Sequence, residues 1–486
     1  MATDRHDATV TLEPVAAVTV LRRDAGRLVL FGGTAVAVCV AVVAGQWIWL
    51  LALAVVAPLL LFIYYRPERG ILAVAALAPF NGLLLIVHVP GFAKGWKEAL
   101  VGVSLAATFV CPPRSRGDRG RSLPRWLPAL GALLLLGLLS GLSVGGDQAL
   151  LGLKINFFYV LVAVAVWRAP LDERDRDRLV SILMGVGLVC SVVGLLQQAL
   201  GDARLHTLGY QYNSTIRFGS GGLLRSFSTF DQPFPFALYV MIVLLIGIPV
   251  ALDDLTRLRN QLFLLATPIY LLGILSAFVR AAFLGLAVGA LYLGFRRYRA
   301  LLAVMPLFLA AFLLLAGPVS GSLLSSNSLQ SRTQGWQGAI TQVEAHPLGV
   351  GIGSTGATAE RLATGTKKST YQPDNYYFKT AYELGLLGAW MLILLLFGIF
   401  RATHIGADRA RRPDQALLDG IAAVVLASIA ASLVDSYFEI FPIDLTFWLL
   451  VGVAAATIAG SRVNRGSDQL AGVRPDAAPQ PLPAGR

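Results

Sequence analysis

Residues 331–390 read SRTQGWQGAITQVEAHPLGVGIGSTGATAERLATGTKKSTYQPDNYYFKTAYELGLLGAW, the longest polar interval in the chain, and this stretch runs straight into an apolar one. Non-helical backbone is expensive in hydrocarbon unless protein or water shields it, so a membrane protein keeps such an interval for a purpose. On both sides of it the apolar runs are mostly about 15–23 residues long, near what a helix needs to cross a ~30 Å hydrocarbon core. Composition agrees: 56% of the 486 residues are hydrophobic and 14% are charged, with a mean hydropathy of +0.67. A soluble domain of this length would carry more charge. The fold class expected is therefore all-α, a polytopic integral membrane protein.

Reading outward gives apolar runs at 28–44, 47–65, 71–87, 99–110, 127–142, 150–167, 179–200, 234–252, 262–278, 281–295 and 301–316 before the polar interval. Three more come after it, at 378–400, 417–434 and 441–458. The count is about 14 transmembrane helices. Pro79, Asn81 and Gly82 interrupt the third. The implied organisation is an N-terminal cytoplasmic tail at 1–27, a helical region at 28–318 with a smaller polar loop at 201–232, and a large outer loop at 319–377. The last helices fill 378–460, and a Pro-, Gly- and Ala-rich cytoplasmic tail at 461–486 is expected to be disordered. The first residues lack the small-residue cleavage pattern of a signal peptide.

Orientation follows from the basic turns. With the N-terminus inside, the inside turns hold Arg66 and Arg69, Arg114 to Arg125, Arg168 to Arg178, Arg257 and Arg259, Arg296 to Arg299, Arg401 to Arg412, and Arg462 and Arg465. Every one is basic, as the positive-inside rule requires, and both long polar loops then face outward. The net charge of +12 expresses this retention and does not point to nucleic acid. Cys39, Cys111 and Cys190 lie in or at the edge of apolar runs, so no disulfide framework or metal site is suggested. The polar groups near span ends gather on the outer side: Lys154, Asn156, Gln197, Gln198, Arg280, Asp435 and Glu439. Ionisable groups at membrane depth are costly and are functional candidates by default.

Arg225, in LLRSFSTFDQPFPFALYV, and Arg280, in SAFVRAAFLGL, are candidates for an anion site. A guanidinium stays charged and offers a planar fork of donors suited to pyrophosphate. A lone loop arginine is more often an interfacial anchor, which applies to Arg225. Arg280 is placed against the charge bias and favours function. His346 opens HPLGVGIGSTG; with Pro347 it is expected to end the amphipathic helix carrying Trp336, Ile340 and Val343. Gly349, Gly351, Gly353 and Gly356 suggest a tight backbone turn. A nucleotide-binding reading fails because no strand precedes the glycines. Asp374 is expected to cap the next helix, or to act as a general base on an acceptor hydroxyl. Glu383, on the same helix as it enters the membrane, is either a structural acid or a functional one.

Together these segments resemble the O-antigen ligase and polymerase family of bacterial envelope glycosyltransferases. The resemblance rests on RSFSTFDQPFPFALYV, SAFVRAAFLGL, RTQGWQGAITQVEAHPLGVGIGS and DNYYFKTAYELGLLG, in order, and on the large late outer loop. It implies the helical type C glycosyltransferase fold and transfer of a glycan from a polyprenyl-pyrophosphate carrier to a hydroxyl at the outer face of a bacterial cytoplasmic membrane. No cofactor is implied. Arg225 and Arg280 look like the family's pyrophosphate arginines. Arg332, Asn375, Glu383, Lys154 and Arg217 are the further residues expected at the substrate. The implied partners are the lipid-linked donor, a glycan or lipid acceptor, membrane lipid, and flippase and chain-length proteins.

Ligases of the family carry a His before Asn, Ser or Gln, then nine residues and GxxG. Here Asn375, nine residues and Gly385-Leu-Leu-Gly388 come after Asp374, so a carboxylate stands at the histidine position. A carboxylate of ordinary pKa near 3.9 is the weaker base. The departure weakens the ligase reading and leaves the polymerase reading open, and the resemblance raises Asp374 as a candidate base. A transporter of lipid-linked oligosaccharide, the alternative of another class, predicts internal repeats or broken charged helices on both sides. No repeat is found, and the break at Pro79 to Gly82 is the single feature in its favour.

Overall fold

The computed structural model describes residues 61, 63–85, 95–110, 122–210, 224–303, 326–363 and 374–472. The chain divides into units 1–62 and 63–486, and apart from Leu61 the described residues all belong to the second. The apolar runs expected at 28–44, most of 47–65 and most of 301–316 lie outside the described residues, as do Arg217, the basic turn before Ser122 and the N-terminal tail.

Helices form where the apolar runs predict them. In order they are α1 Pro67–Leu77, α2 Trp96–Val110, α3 Leu127–Gly141, α4 Gly146–Phe157, α5 Val160–Arg168, α6 Glu173–Thr207, α7 Pro233–Asp253, α8 Leu258–Ala277 and α9 Arg280–Arg296. Then come α10 Ser326–Ala345, α11 Gly356–Leu362, α12 Tyr376–Arg409, α13 Asp414–Ala431 and α14 Ile443–Gly472. Among the described residues six helices are long and apolar enough to cross a membrane, or seven if α4 and α5, bent by 52°, form one span. The larger count drawn from sequence also includes the shorter α1, α2, α3 and α9 and stretches outside the described residues.

Local chemistry explains the departures from straight rods. The interruption at Pro79 is real: α1 ends at Leu77 and Ala78–Leu85 continues as a 3-10 turn. Proline removes a backbone donor and clashes with the preceding turn. A Cβ on Gly82 would sit 2.5 Å from the Asp231 amide, so the break makes room for the segment before α7. The last helix continues to Gly472, through the start of the expected tail. No proline lies between Pro442 and Pro475, so the sequence holds no strong stop before that glycine.

The core forms around α7. Every residue from Phe236 to Ile246 is at most 1% exposed, which is how a helix apolar on all sides must sit within a protein. Helices α6, α8, α9 and α13 surround it. Small residues permit the close approach: a Cβ on Gly420 would lie 2.9 Å from the Leu245 carbonyl oxygen.

The bundle has two unlike ends. At one, several arginines of the basic turns pair with aspartates from neighbouring helix ends. Arg176 forks onto Asp414 at 2.9 and 3.0 Å. Arg257 and Arg259 share Asp177 at 2.7 and 2.9 Å. Arg296 holds Asp419 at 3.1 Å and Asp408. Turns that the charge bias assigned to one side thus meet one another. The chain directions of α4 to α9 and α12 to α14 bring Lys154, Arg225, Arg280, Lys379 and Glu439 to the other end.

Candidate active site

The segment before α7 is extended and buried, and Gln197 of α6 organises it. The Gln197 Oε1 accepts from the amides of Phe227 (3.1 Å) and Ser228 (2.7 Å), and its Nε2 donates to the Ser228 carbonyl at 2.7 Å. Ser226 donates its amide to Ser276 O at 3.0 Å and its hydroxyl to Gly194 O at 2.8 Å. Buried polar backbone must find partners, and here a single side-chain amide supplies three bonds.

This anchoring fixes Arg225. Its Nε donates to Ala277 O at 3.2 Å and its Nη2 to Phe278 O at 3.4 Å. Those carbonyls end α8, where helix C-termini leave acceptors open and favour a positive charge. The guanidinium also lies 5.0 Å from the Phe234 ring. Phe278 adopts a left-handed conformation (φ 51°), the chain turns, and Arg280 opens α9. Burial lowers the Arg225 pKa from its ordinary value; the Asp435 charge opposes this, and the like charge of Arg280 adds to it. Two half-buried guanidinium groups and one carboxylate therefore share an electrostatic neighbourhood. Such a group of charges favours an anion between them.

The glycine run docks elsewhere at the same end. Helix α12 breaks at Gly385 (φ 77°, ψ 175°), which leaves carbonyls without helical partners. The loop supplies them: Val350 N donates to Tyr382 O at 2.8 Å and Gly351 N to Glu383 O at 3.1 Å, while Leu386 N donates back to Pro347 O at 3.0 Å. Gly349 and Gly351 have φ of 86° and 110°, and a Cβ on Gly349 would lie 2.6 Å from the Gly385 amide. Only glycine fits both the angle and the gap. His346 comes just after the end of α10, is exposed, and sets its ring edge-on to Tyr382 at 6.0 Å.

Beneath this loop lies a buried ion cluster. Lys379 Nζ is 2.8 Å from Glu383 Oε2 and 3.1 Å from Glu439 Oε1, and the three side chains are 1%, 2% and 4% exposed. Asn156 Oδ1 accepts from Lys379 Nζ at 3.2 Å and from the Tyr376 hydroxyl at 3.0 Å. Thr355 donates both its amide and its hydroxyl to Glu383 Oε1 at 3.1 Å. Burial raises the Glu439 pKa, while Lys379 opposes the shift. The cluster ties α4, the loop, α12 and the turn before α14 together. Glu383 thus has a structural place. Lys379 and Thr355 were not singled out from sequence, although Lys379 stands four residues before Glu383 and the i,i+4 spacing pairs opposite charges on a helix.

The capping question has a definite answer: the N-cap of α12 is Asn375, not Asp374. Asn375 Oδ1 accepts from Tyr377 N (2.9 Å) and Phe378 N (3.1 Å), and its Nδ2 donates to Leu433 O at 2.9 Å. Asp374 is exposed, one residue before the cap. Lys154 pairs with Glu98 at 2.8 Å. The backbone of Arg332 lies in α10. Among the described residues no group of His, Cys, Asp and Glu could hold a metal ion.

Residues 261–393 match the family described as O-antigen ligase. No curated protein matches the chain. The matched stretch contains Arg280, Arg332, Asp374, Asn375, Lys379 and Glu383, whereas Arg225, Lys154 and Glu439 reach the same end of the bundle from outside it. Over that segment, which runs from α8 into α12, this membrane protein of apolar helices is similar to the O-antigen ligase family.

Proposed function

We propose that the protein polymerises, or transfers en bloc, a polyprenyl-pyrophosphate-linked oligosaccharide at the outer face of a bacterial cytoplasmic membrane, in cell-surface polysaccharide synthesis. The observation that carries this reading is the convergence of Arg225 and Arg280 beside Asp435 at the end opposite the arginine–aspartate pairs. In this reading the two guanidinium groups hold the pyrophosphate. An acceptor hydroxyl attacks the anomeric carbon, the bond from that carbon to the pyrophosphate oxygen breaks, and Asp374 takes the hydroxyl proton. The pyrophosphate leaves on its carrier. A carboxylate at the position where ligases carry histidine favours the polymerase over a ligase that uses the same site. A flippase delivering the donor and a chain-length protein are the partners such a reaction needs.

The test is reconstitution of the full chain with carrier-linked repeat units. A ladder of products supports polymerisation, a single transfer to an added lipid acceptor supports ligation, and donor moved across the bilayer without transfer supports transport. Within that assay the Asp374→Asn protein is expected to fold normally and to slow by about 100- to 10,000-fold, the usual worth of a general base. Asp374→His is expected to be less impaired. Asn375→Ala instead loses about 0.5–2 kcal/mol of stability, as removal of a helix cap does. Polymer made at the parent rate by Asp374→Asn removes Asp374 as the base.

Orientation has its own check. Leu348, 92% exposed in the glycine loop, and Leu255, 53% exposed between α7 and α8, lie at opposite ends. In a cysteine-free variant, an impermeant thiol reagent on intact cells is expected to label Leu348→Cys and spare Leu255→Cys. The reverse pattern inverts the proposed topology.

A further inference from the structure

A cavity of about 440 Å³ lies at the arginine-rich end, far along α12 from the candidate active site. Its walls come from the segment leading into α3, the end of α5, the last turns of α12 and the middle of α14. Its volume falls within the roughly 300–1,000 Å³ of sites that hold small molecules. Gly398 and everything C-terminal to it on α12 lie beyond the stretch that matches the ligase family. The glycan-transfer reading gives this cavity no role.

Its chemistry is divided. Arg125, Arg401 and Arg409 line it, and among the described residues no acidic side chain does. That is unusual at this end, where Arg176, Arg257, Arg259 and Arg296 each hold an aspartate. Arg125 and Arg401 are exposed and form no hydrogen bond or ion pair with the described residues. The remaining wall is mostly apolar, with Ile399, Val451 and Ile458 beside Ser122 and Thr403, and Trp126 and Trp167 flank it. Tryptophan with arginine at the end of membrane-crossing helices is the composition of the headgroup level. Just beyond the cavity, α12 carries a row of exposed apolar side chains: Leu386, Leu387, Trp390, Ile393, Leu394 and Phe397. On a helix of this length and hydropathy that row reads as facing acyl chains.

We propose that this cavity is a binding site for an anionic phospholipid, with the phosphate between Arg125 and Arg401 and the acyl chains along the apolar face of α12. Basic pockets between membrane helices on the positive side take such headgroups. The proposal stands whether or not the glycan-transfer reading does.

The test uses the purified full chain in an uncharged detergent, offered phosphatidylglycerol or phosphatidylcholine, with bound lipid counted by native mass spectrometry. The parent is expected to retain phosphatidylglycerol over phosphatidylcholine. The double variant R125Q/R401Q is expected to lose phosphatidylglycerol by about tenfold or more, since each arginine near an anionic headgroup contributes on the order of a fivefold preference. R125K/R401K keeps the charges and is expected to stay near the parent. Ala402→Trp fills the cavity and is expected to lose the lipid with both arginines intact. Equal retention of the two lipids, or a glutamine pair that holds phosphatidylglycerol as the parent does, overturns the proposal. Displacement of the lipid by equimolar inorganic phosphate overturns it too, because the acyl chains then contribute nothing.

Discussion

The Arg280→Ala protein is expected to insert and fold like its parent and to turn over lipid-linked donor about 100- to 1,000-fold more slowly. That is the usual loss when one preorganised group facing developing charge is removed. Arg280 opens α9 and shares its surroundings with Arg225 and Asp435. Lysine is expected to rescue poorly, because an ammonium lacks the fork that meets two phosphate oxygens. Arg225 behaves differently. Its guanidinium also closes the C-terminus of α8 through Ala277 and Phe278, so Arg225→Ala is expected to lower both stability and turnover. Turnover must therefore be normalised to folded protein. Arg280→Lys working at the parent rate would sink the bidentate role, and activity in both alanine variants would move the pyrophosphate site elsewhere.

Lys379→Met is expected to be the most destabilising single change at this end. It leaves Glu383 and Glu439 buried without their shared cation, and removing one partner from a buried ion group costs about 3–5 kcal/mol. The measurement is the midpoint of denaturant unfolding in detergent, read at unchanged slope so that it reports stability. Quieting the acids as well, in K379M/E383Q/E439Q, is expected to recover part of the loss, since the isolated carboxylates and not the missing contact carry most of the penalty. Turnover per folded molecule in that triple variant separates scaffold from chemistry. If it matches the parent, the cluster only holds the loop, α4, α12 and the turn at Glu439 in register. If Lys379→Met unfolds at the parent midpoint, the cluster does not stabilise the fold.

Hydrophobic run length determined most of the helices by itself, because a bilayer imposes one length on whatever crosses it. The runs at 127–142 and 417–434 became α3 Leu127–Gly141 and α13 Asp414–Ala431 with small shifts at their ends. The break at Pro79 was equally legible, since a proline acts on its own turn. Charge bias sorted the turns into two sets, and in the structure Arg176, Arg257, Arg259 and Arg296 of one set join their turns through shared aspartates.

Which helix lies at the centre was not legible. Lipid and protein interior are both apolar, so 179–200 and 234–252 read alike, yet the helix of the first buries about half the share of its residues that the helix of the second does. Nor could sequence choose the helix cap. Asp374 and Asn375 are equally good capping residues, and the backbone decided for Asn375 by entering the helix one residue later. The glycine run suggested a tight turn. That it closes on the Gly385 break, and that Glu439 crosses from another turn to share Lys379 with Glu383, depended on contacts between segments distant in sequence. Local pattern carries length, charge and turn chemistry; only tertiary packing decides which of those local groups meet.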